Sequence, residues 1–355
     1  MTSPRVTMQQ VADAAGVHQT TVSLALRNDP RLPSATRTRI QKIAKKLGYR
    51  PDPMLAALNF YRTARHSVRA PITMAFLLNF RDASELATSH AHLQFLEGAR
   101  YQADQIGYQL EVFYVGHDTE AALAGPRIER ILRARGITGL IIAAFGDSMP
   151  NFQLSWEHFS AVQIESQHLG LSLHTISNHQ LMITREAVRR LAQRGFRRIG
   201  LAVGAREERY LKNAFTAGYY VEVAQSPGLA RVPPCILPGE GSVDIDAMLH
   251  QWARDNDVEA VVSNWISMPE IFRRNGWRVP GDITVTALDL SPDGITSAGM
   301  RQNHRTVGVR AVEQLAILMK TNQRGLVDRP NLTLIEGQWV EAKSPRRATT
   351  RSRKA

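Results

Sequence analysis

Three short polar side chains, Gln19, Thr20 and Ser23, recur at a spacing that places them on one face of a helix. Amides and hydroxyls both donate and accept hydrogen bonds, so such a face suits the polar edges of nucleic-acid bases. The first 70 residues hold twelve Lys and Arg against three Asp, a net charge of +9. Because a strongly basic segment attracts polyanions, the charge and the polar face indicate the same kind of partner.

Two helices separated by a glycine would position this polar face. Thr7 and Gln10 form the pattern of a capping box, which predicts that a first helix begins after Thr7. Gly16 provides the backbone freedom for a tight turn, and a second helix is predicted from Gln19 to Leu26. This pattern is a helix-turn-helix, in which the second helix enters the major groove of DNA.

A third helix is predicted to begin with Ser34 as its cap and to end at Gly48. Its apolar residues would close a small core beneath the first two helices. Its basic residues are assigned to the remaining surface: Arg37, Arg39, Lys42, Lys45 and Lys46.

Beyond residue 71, buried strands alternate with amphipathic helices. This alternation predicts parallel sheets with helices on both faces, and the number of strands favours two sheets over one. Ligands of such folds bind at the carboxyl ends of the strands, in the crevice between the lobes. The predicted strands cover residues 72–80, 109–115, 139–144, 158–164, 197–203, 259–264 and 283–289, with helices at 93–106, 179–194, 243–256 and 307–323.

The segment "VTMQQVADAAGVHQTTVSLALRNDPRLPSATRTRIQKIAKKLGYRPDP", residues 6–53, resembles the lactose-repressor and galactose-repressor (LacI/GalR) family of bacterial transcription regulators. "RVPGDITVTALD" and "RQNHRTVGVRAVEQLAILM" resemble the effector domain of the same family, in a divergent branch. The resemblance implies an all-α helix-turn-helix domain followed by an α/β two-lobed effector domain with the fold of periplasmic sugar-binding proteins. It also implies a dimeric regulator whose binding to DNA is controlled by a ligand.

By position, the resemblance directs Gln19, Thr20 and Leu24 at bases, and Thr21 and Ser23 at phosphates. Leu24 stands where the family usually has arginine. Because arginine recognises guanine and leucine cannot, the operator sequence of other family members cannot be assumed for this protein. Leu58 matches the hinge-helix leucine that wedges into the minor groove, although a short linker helix that merely packs is the alternative. The full set of expected DNA contacts is Thr7, His18, Gln19, Thr20, Thr21, Ser23, Leu24, Arg27, Asn28 and Leu58.

The effector site shows departures from the family. Phe215 stands where sugar-binding members usually have arginine, and Asn264-Trp265 replaces a common Asn-Asp pair. His179 replaces an aspartate, whereas Asp289 keeps its carboxylate. Aromatic faces with one carboxylate favour a sugar-related ligand that is less polar or more planar than a simple hexose. The alternative is that Phe215 and Trp265 belong to the core and that other residues form the cleft.

The expected organisation is a DNA-binding domain (1–50), a hinge and linker (51–70), an effector and dimerisation domain (71–340) and a basic tail (341–355) with a net charge of +5. The chain is expected to cross between the lobes near residues 174, 298 and 330. A tail of this kind is also typical of ordinary solvated surface.

Several function classes are disfavoured. Cys235 is the only cysteine, and no export signal or membrane-spanning stretch is recognised, so a cytoplasmic protein is expected. No motif for a nucleophile, phosphate loop or metal is recognised, so neither catalysis nor a cofactor or metal is expected.

The expected partners are an operator, a small-molecule effector and a second copy of the chain, with a tetramer as an open alternative. A carbohydrate-binding protein or a sugar-modifying enzyme without a role on DNA remains the alternative function. The regulated genes, repression or activation, and the effect of the ligand stay open.

Overall fold

The computed structural model describes residues 6–29, 31–49, 72–116, 121–143, 152–165, 170–238, 244–290 and 298–342. The first three helices are α1 (Met8–Ala15), α2 (Gln19–Leu26) and α3 (Ser34–Lys46). Their inward faces share one small core of Val11, Ala12, Ala15, Val22, Ala25, Ile40 and Ala44. Helix α3 begins at the predicted residue, but Ser34 is its first helical residue and Pro33 takes the cap position without a side-chain hydrogen bond. The prediction that Ser34 caps this helix is therefore wrong.

Twelve strands and nine further helices follow within the described residues. The strands are β1 (Thr73–Leu78), β2 (Gln109–Tyr114), β3 (Gly139–Ala143), β4 (Ser160–Ile164), β5 (His174–Asn178), β6 (Ile199–Gly204), β7 (Cys235–Leu237), β8 (Ala260–Ser263), β9 (Thr284–Ala287), β10 (Gly299–Arg301), β11 (Leu332–Ile335) and β12 (Gln338–Val340). The helices are α4 (Ala83–Leu86), α5 (His90–Gln105), α6 (Ala121–Ala134), α7 (Gln180–Gln193), α8 (Ala205–Tyr210), α9 (Ala214–Gln225), α10 (Ile245–Asp255), α11 (Met268–Arg274) and α12 (His304–Lys320). Within the described ranges, one 3-10 turn is present, at Trp156–His158.

The strands form two sheets of six. The first has the order β11-β5-β4-β3-β1-β2 and is parallel throughout. The second has the order β12-β10-β9-β8-β6-β7, and only β12 runs antiparallel to its neighbour. Each sheet has an apolar core on both faces, as parallel sheets covered by helices require. The two-sheet parallel α/β architecture predicted from the sequence is confirmed.

The chain passes between the two sheets three times. It leaves the first sheet after β5, returns after β10 and crosses again after β11. The crossings therefore lie at residue 179, at residues 302–303 and at residues 336–337, a few residues after the expected positions 174, 298 and 330. Among the described helices, none combines the length and apolar character needed to cross a membrane.

Helices α5 and α12 pack against each other at two glycines. A Cβ added to Gly98 would lie 1.9 Å from the carbonyl oxygen of Arg305, and one added to Gly308 would lie 2.0 Å from the carbonyl oxygen of Phe95. Both neighbouring atoms belong to backbone, which cannot move aside as a flexible side chain would. The two helices therefore approach closely only because neither position carries a side chain.

We predict that Gly308→Ala destabilises the protein. The added methyl group must separate α5 from α12, and overpacking of this kind costs about 1–3 kcal/mol or more. Urea unfolding of the full chain measures the change. Arg100→Ala on the exposed side of α5 is the matched control and should shift stability by less than about 0.5 kcal/mol. Equal stability of Gly308→Ala and the wild type would contradict the close helix packing.

Candidate nucleic-acid interface and interlobe site

The turn between α1 and α2 is built from the signals that the sequence shows. The Thr7 hydroxyl accepts a hydrogen bond from the Gln10 amide at 3.3 Å, while the Gln10 side chain accepts from the Thr7 amide at 2.8 Å. Gly16 adopts the left-handed conformation with φ of 64° and ends α1. The amide of Val17 then donates to the carbonyl of Ala12 at 3.1 Å, which closes the turn. The capping box and glycine turn thus set the angle at which α2 leaves α1.

Helix α2 presents the predicted polar face. Gln19 and Thr20 are exposed, and Ser23 and Leu24 are partly exposed. His18 is the N-cap of the helix, and its Nδ1 atom lies 2.9 Å from the Thr20 hydroxyl. The remaining described residues of the expected contact set also reach the surface: Thr7, Arg27 and Asn28 are exposed and Thr21 is partly exposed. Leu58 lies outside the described residues.

Helix α3 holds the first two helices in place with polar side chains. Arg39 donates to the carbonyl of Ala15 at 3.1 Å, at the last turn of α1. Gln41 donates to the carbonyl of Ala25 at 2.8 Å, at the end of α2, and Arg37 donates to the carbonyl oxygen of Asp29 at 3.0 Å. Arg39 is exposed and Arg37 partly exposed, as their assignment to the remaining surface predicts, but both also make hydrogen bonds to neighbouring elements. Both satisfy carbonyl groups that helix ends and turns leave without partners.

The lobes meet at a cluster of polar residues that we call the polar joint: Glu165, Asn178, Gln180, Asp289, Gln302 and His304. Asn178, at the end of β5, donates to Glu165 at 2.9 Å, and its amide nitrogen lies 3.1 Å from His304 Nδ1. His304 opens α12, which packs on the first sheet, and its Nε2 lies 2.8 Å from Asp289 Oδ2 beyond the end of β9 in the second sheet. The imidazole of His304 thus connects the two sheets directly.

The three crossings are also bonded to one another. Gln180 and Gln302 exchange side-chain hydrogen bonds of 2.9 and 3.0 Å. The amide of Asn303 donates to Asn178 Oδ1 at 3.0 Å. His179 Nδ1 lies 2.8 Å from the carboxylate of Glu336 on the third crossing. These bonds join all three crossings into one hydrogen-bonded unit.

The charge state of His304 depends on its neighbours. Burial disfavours the imidazolium, but the hydrogen bond and negative charge of Asp289, with the charge of Glu165, outweigh burial and raise the pKa of His304 above its usual value. A histidine whose pKa is raised in the folded state stabilises that state fully below the unfolded pKa of about 6.5. This contribution is lost as the pH rises through the folded-state pKa.

Asn264 and Trp265 lie at the same carboxyl edge of the second sheet as Asp289. Asn264 Oδ1 accepts from the amide of Gly204 at 3.2 Å, which ties the end of β8 to the end of β6. A Cβ at Gly204 would lie 3.0 Å from Trp265 Nε1, so the indole lies against the bare backbone there. Trp265 is partly buried and follows β8, the strand next to β9. Trp265 and Asp289 therefore follow the ends of adjacent parallel strands.

Phe215 does not belong to this edge. Its side chain is only 2% exposed and packs in the core of the second sheet with Val203, Leu211 and Tyr219. The prediction that Phe215 contacts an effector is therefore wrong, and the alternative that it is a core residue describes its position. The physical reason is that α9 turns Phe215 toward the sheet while Glu208 accepts from the Thr216 amide at the first turn of that helix.

Four of the five expected effector residues lie at the crossings or strand ends. The sequence analysis did not predict most of the polar joint. Glu165, Asn178, Gln180, Gln302 and His304 were not expected there, although each is buried. The signal that could have found them is polar residues directly after apolar strands, as in "QNH" after β10. Among the described residues, no cluster of three or more His, Cys, Asp or Glu is placed to hold a metal ion.

The helix-turn-helix matches a known family. The model described as "Bacterial regulatory proteins, lacI family" covers residues 7–52. The chain is 27% identical over 233 residues to the HTH-type transcriptional regulator PtxS of Pseudomonas plecoglossicida, an alignment covering 63% of this chain and 62% of PtxS. It is 25% identical over 299 residues to the HTH-type transcriptional repressor CytR of Escherichia coli (strain K12), covering 80% of each chain.

Solved structures share the fold. A transcriptional regulator CelR-cellobiose complex superimposes with a TM-score of 0.61 at 19% identity, covering 96% of this chain and 100% of that one. The lac repressor dimer bound to operator and the anti-inducer ONPF gives a TM-score of 0.56 at 19% identity, covering 95% and 98%. These likenesses extend the match from the helix-turn-helix to the two-sheet body. As the resemblance in residues 6–53 predicts, residues 7–52 match the lacI family of bacterial regulatory proteins, and curated regulators such as CytR support a relationship of the chain to the LacI/GalR family.

Proposed function

We propose that the protein is a repressor that binds a pseudo-palindromic operator as a homodimer and changes its affinity when a small-molecule effector binds at the interlobe site. The observation that carries the proposal is the exposed polar face of α2, held by a capped α1 and by the side chains of α3. The lac repressor structure contains a dimer on its operator, which supports the same arrangement here. We also propose that the DNA-binding domain, the hinge and linker, the effector domain and the tail are divided at residues 50, 70 and 340.

On the operator, we assign base contacts to Gln19, Thr20 and Leu24 and phosphate contacts to Thr21 and Ser23. The exposed amide and hydroxyl at Gln19 and Thr20 suit base edges. Ser23 Oγ accepts from Arg27 at 2.9 Å and so keeps its own proton, which a phosphate oxygen can accept. Thr7, His18, Arg27 and Asn28 complete the surface, and Leu58 is the proposed minor-groove wedge.

The effector site we propose includes His179, Asn264, Trp265 and Asp289. Asp289 provides the polar anchor because its carboxylate remains 23% exposed beside His304. Trp265, at the end of the adjacent strand, provides a flat apolar face. CelR was solved with cellobiose, which supports a sugar-related ligand of the kind expected from the sequence. We infer a ligand that is less polar or more planar than a simple hexose.

Selection of bound DNA should recover an inverted repeat with half-sites about one helical turn apart.

Thr20→Ala should reduce the binding free energy on the preferred sequence by about 1–3 kcal/mol and relax the preference at one or two base positions. Ser23→Ala should instead weaken all sequences alike, because a phosphate contact carries no base information. Affinity should fall by orders of magnitude between about 50 and 200 mM salt.

Recovery of unrelated sequences at equal affinity would contradict operator recognition. It would favour a carbohydrate-binding protein or an enzyme without a role on DNA. Turnover tested on sugars and nucleosides separates those two alternatives.

Thermal shift measurements test the effector site. At 100 times its dissociation constant, a ligand from a panel of sugars, sugar acids, glycosides and nucleosides adds about 2.7 kcal/mol to the stability of the wild type. Asp289→Ala and Trp265→Ala should lose most of this gain. Ser267→Ala, an exposed neighbour on the same loop, should keep it. A plain hexose that stabilises all four proteins equally would show that both the pocket and its chemistry are misplaced.

A further inference from the structure

The first turn of α2 contains an unusual cap. His18 precedes the helix with extended backbone, at φ of −71° and ψ of 150°. Its Nδ1 atom lies 3.3 Å from the backbone nitrogen of Thr20 and 2.9 Å from the Thr20 hydroxyl oxygen. One ring nitrogen therefore serves two polar groups of a single residue, and that residue is the one proposed to read a base.

The position of the protons follows from these two contacts. A backbone N–H can only donate, so Nδ1 must accept and cannot carry a proton. In this arrangement the ring proton is on Nε2. Two lone pairs facing each other at 2.9 Å would repel, so the Thr20 hydroxyl must also direct its proton to Nδ1. The outward side of Thr20 Oγ1 consequently offers lone pairs only.

We propose that His18 determines which base Thr20 recognises by making its hydroxyl a pure hydrogen-bond acceptor. In the major groove, only the amino groups of adenine (N6) and cytosine (N4) donate hydrogen bonds. The acceptor edges of guanine and thymine require a donor, which Thr20 in this arrangement does not provide. His18 is thus a positioning residue for specificity. The inference rests on the proposed base-reading role of Thr20.

The hydroxyl of Ser23, on the same helix, is left with the opposite hydrogen-bonding role, that of a donor. Its hydroxyl oxygen accepts from Arg27 Nη2 at 2.9 Å, and the Arg27 Nε donates to the Ser23 carbonyl at 3.2 Å. Arg27 has no acceptor, so the proton of the Ser23 hydroxyl is not consumed by this contact. Two hydroxyls of one recognition helix are therefore set by neighbouring side chains, one as an acceptor by His18 and one as a donor by Arg27.

Two substitutions at His18 separate hydrogen-bond polarity from helix capping. Glycine is nearly as good an N-cap as the polar caps, within a few tenths of a kcal/mol, but it offers Thr20 no acceptor. Asparagine is a strong N-cap whose carbonyl oxygen can accept from Thr20 as Nδ1 does. His18→Gly and His18→Asn are therefore matched in capping and differ in what they do to the Thr20 hydroxyl. Thr20→Val, which removes the hydroxyl but keeps the shape, marks the base position concerned.

The experiment is sequencing of DNA selected by the full chain and by these three variants at one salt concentration. At the position that Thr20→Val changes, the wild type should enrich adenine or cytosine on the strand read. His18→Gly should reduce this enrichment by about 3- to 10-fold, the range expected for one hydrogen bond. His18→Asn should keep it, whatever its effect on overall affinity.

Three outcomes would overturn the inference, and they are distinguishable. If Thr20→Val changes no position, the base-reading role of Thr20 is wrong and the inference fails with it. If Thr20→Val changes a position but His18→Gly leaves the preference there intact, only the role of His18 is wrong. Enrichment of guanine or thymine by the wild type at that position would show that the hydroxyl donates, which contradicts the assigned polarity.

Discussion

The contact between His304 and Asp289 is the interaction on which the arrangement of the two sheets depends. A chain that crosses three times between sheets must bury the polar groups of its crossings, and each buried group must find a partner. His304 meets this requirement from α12 by lying 2.8 Å from Asp289 in the other lobe and 3.1 Å from Asn178 in its own. In a buried polar network, leaving one member without a partner costs more than the average hydrogen bond contributes. The joint therefore specifies one relative position of the lobes.

The same principle organises the DNA-binding domain on a smaller scale. Its core is small and consists mainly of alanine, valine and isoleucine side chains, so apolar packing alone specifies the helix positions weakly. Arg39 and Gln41 add direction because each donates to one carbonyl group at the end of another helix. At the DNA surface, His18 and Arg27 likewise determine what neighbouring hydroxyls can offer. Polar pairing thus links the fold of both domains to what each one recognises.

The sequence predicted helices and strands better than it predicted contacts between residues that are distant along the chain. The capping box of Thr7 and Gln10 and the glycine turn at Gly16 are local, so both were readable. The strand β5, "HTISN", was missed because its buried side chains are mostly polar and satisfied by partners far along the chain. Phe215 was assigned to the effector site because family members usually have arginine at this position. Such an assignment holds only when the residue type is the same. The joint was missed because its partners come from four separate segments.

A double-mutant cycle on unfolding measures the central contact most directly. The full chain, His304→Gln, Asp289→Asn and the double variant are compared at pH 6, where the raised pKa of His304 leaves its contribution in place. We expect the two single changes to be coupled by about 1 kcal/mol or more, because residues that share one hydrogen bond are not additive. The coupling should shrink as the pH rises through the folded-state pKa of His304. Effects that add at pH 6 within about 0.3 kcal/mol would contradict the account, since the lobes would then be held together by something other than this contact.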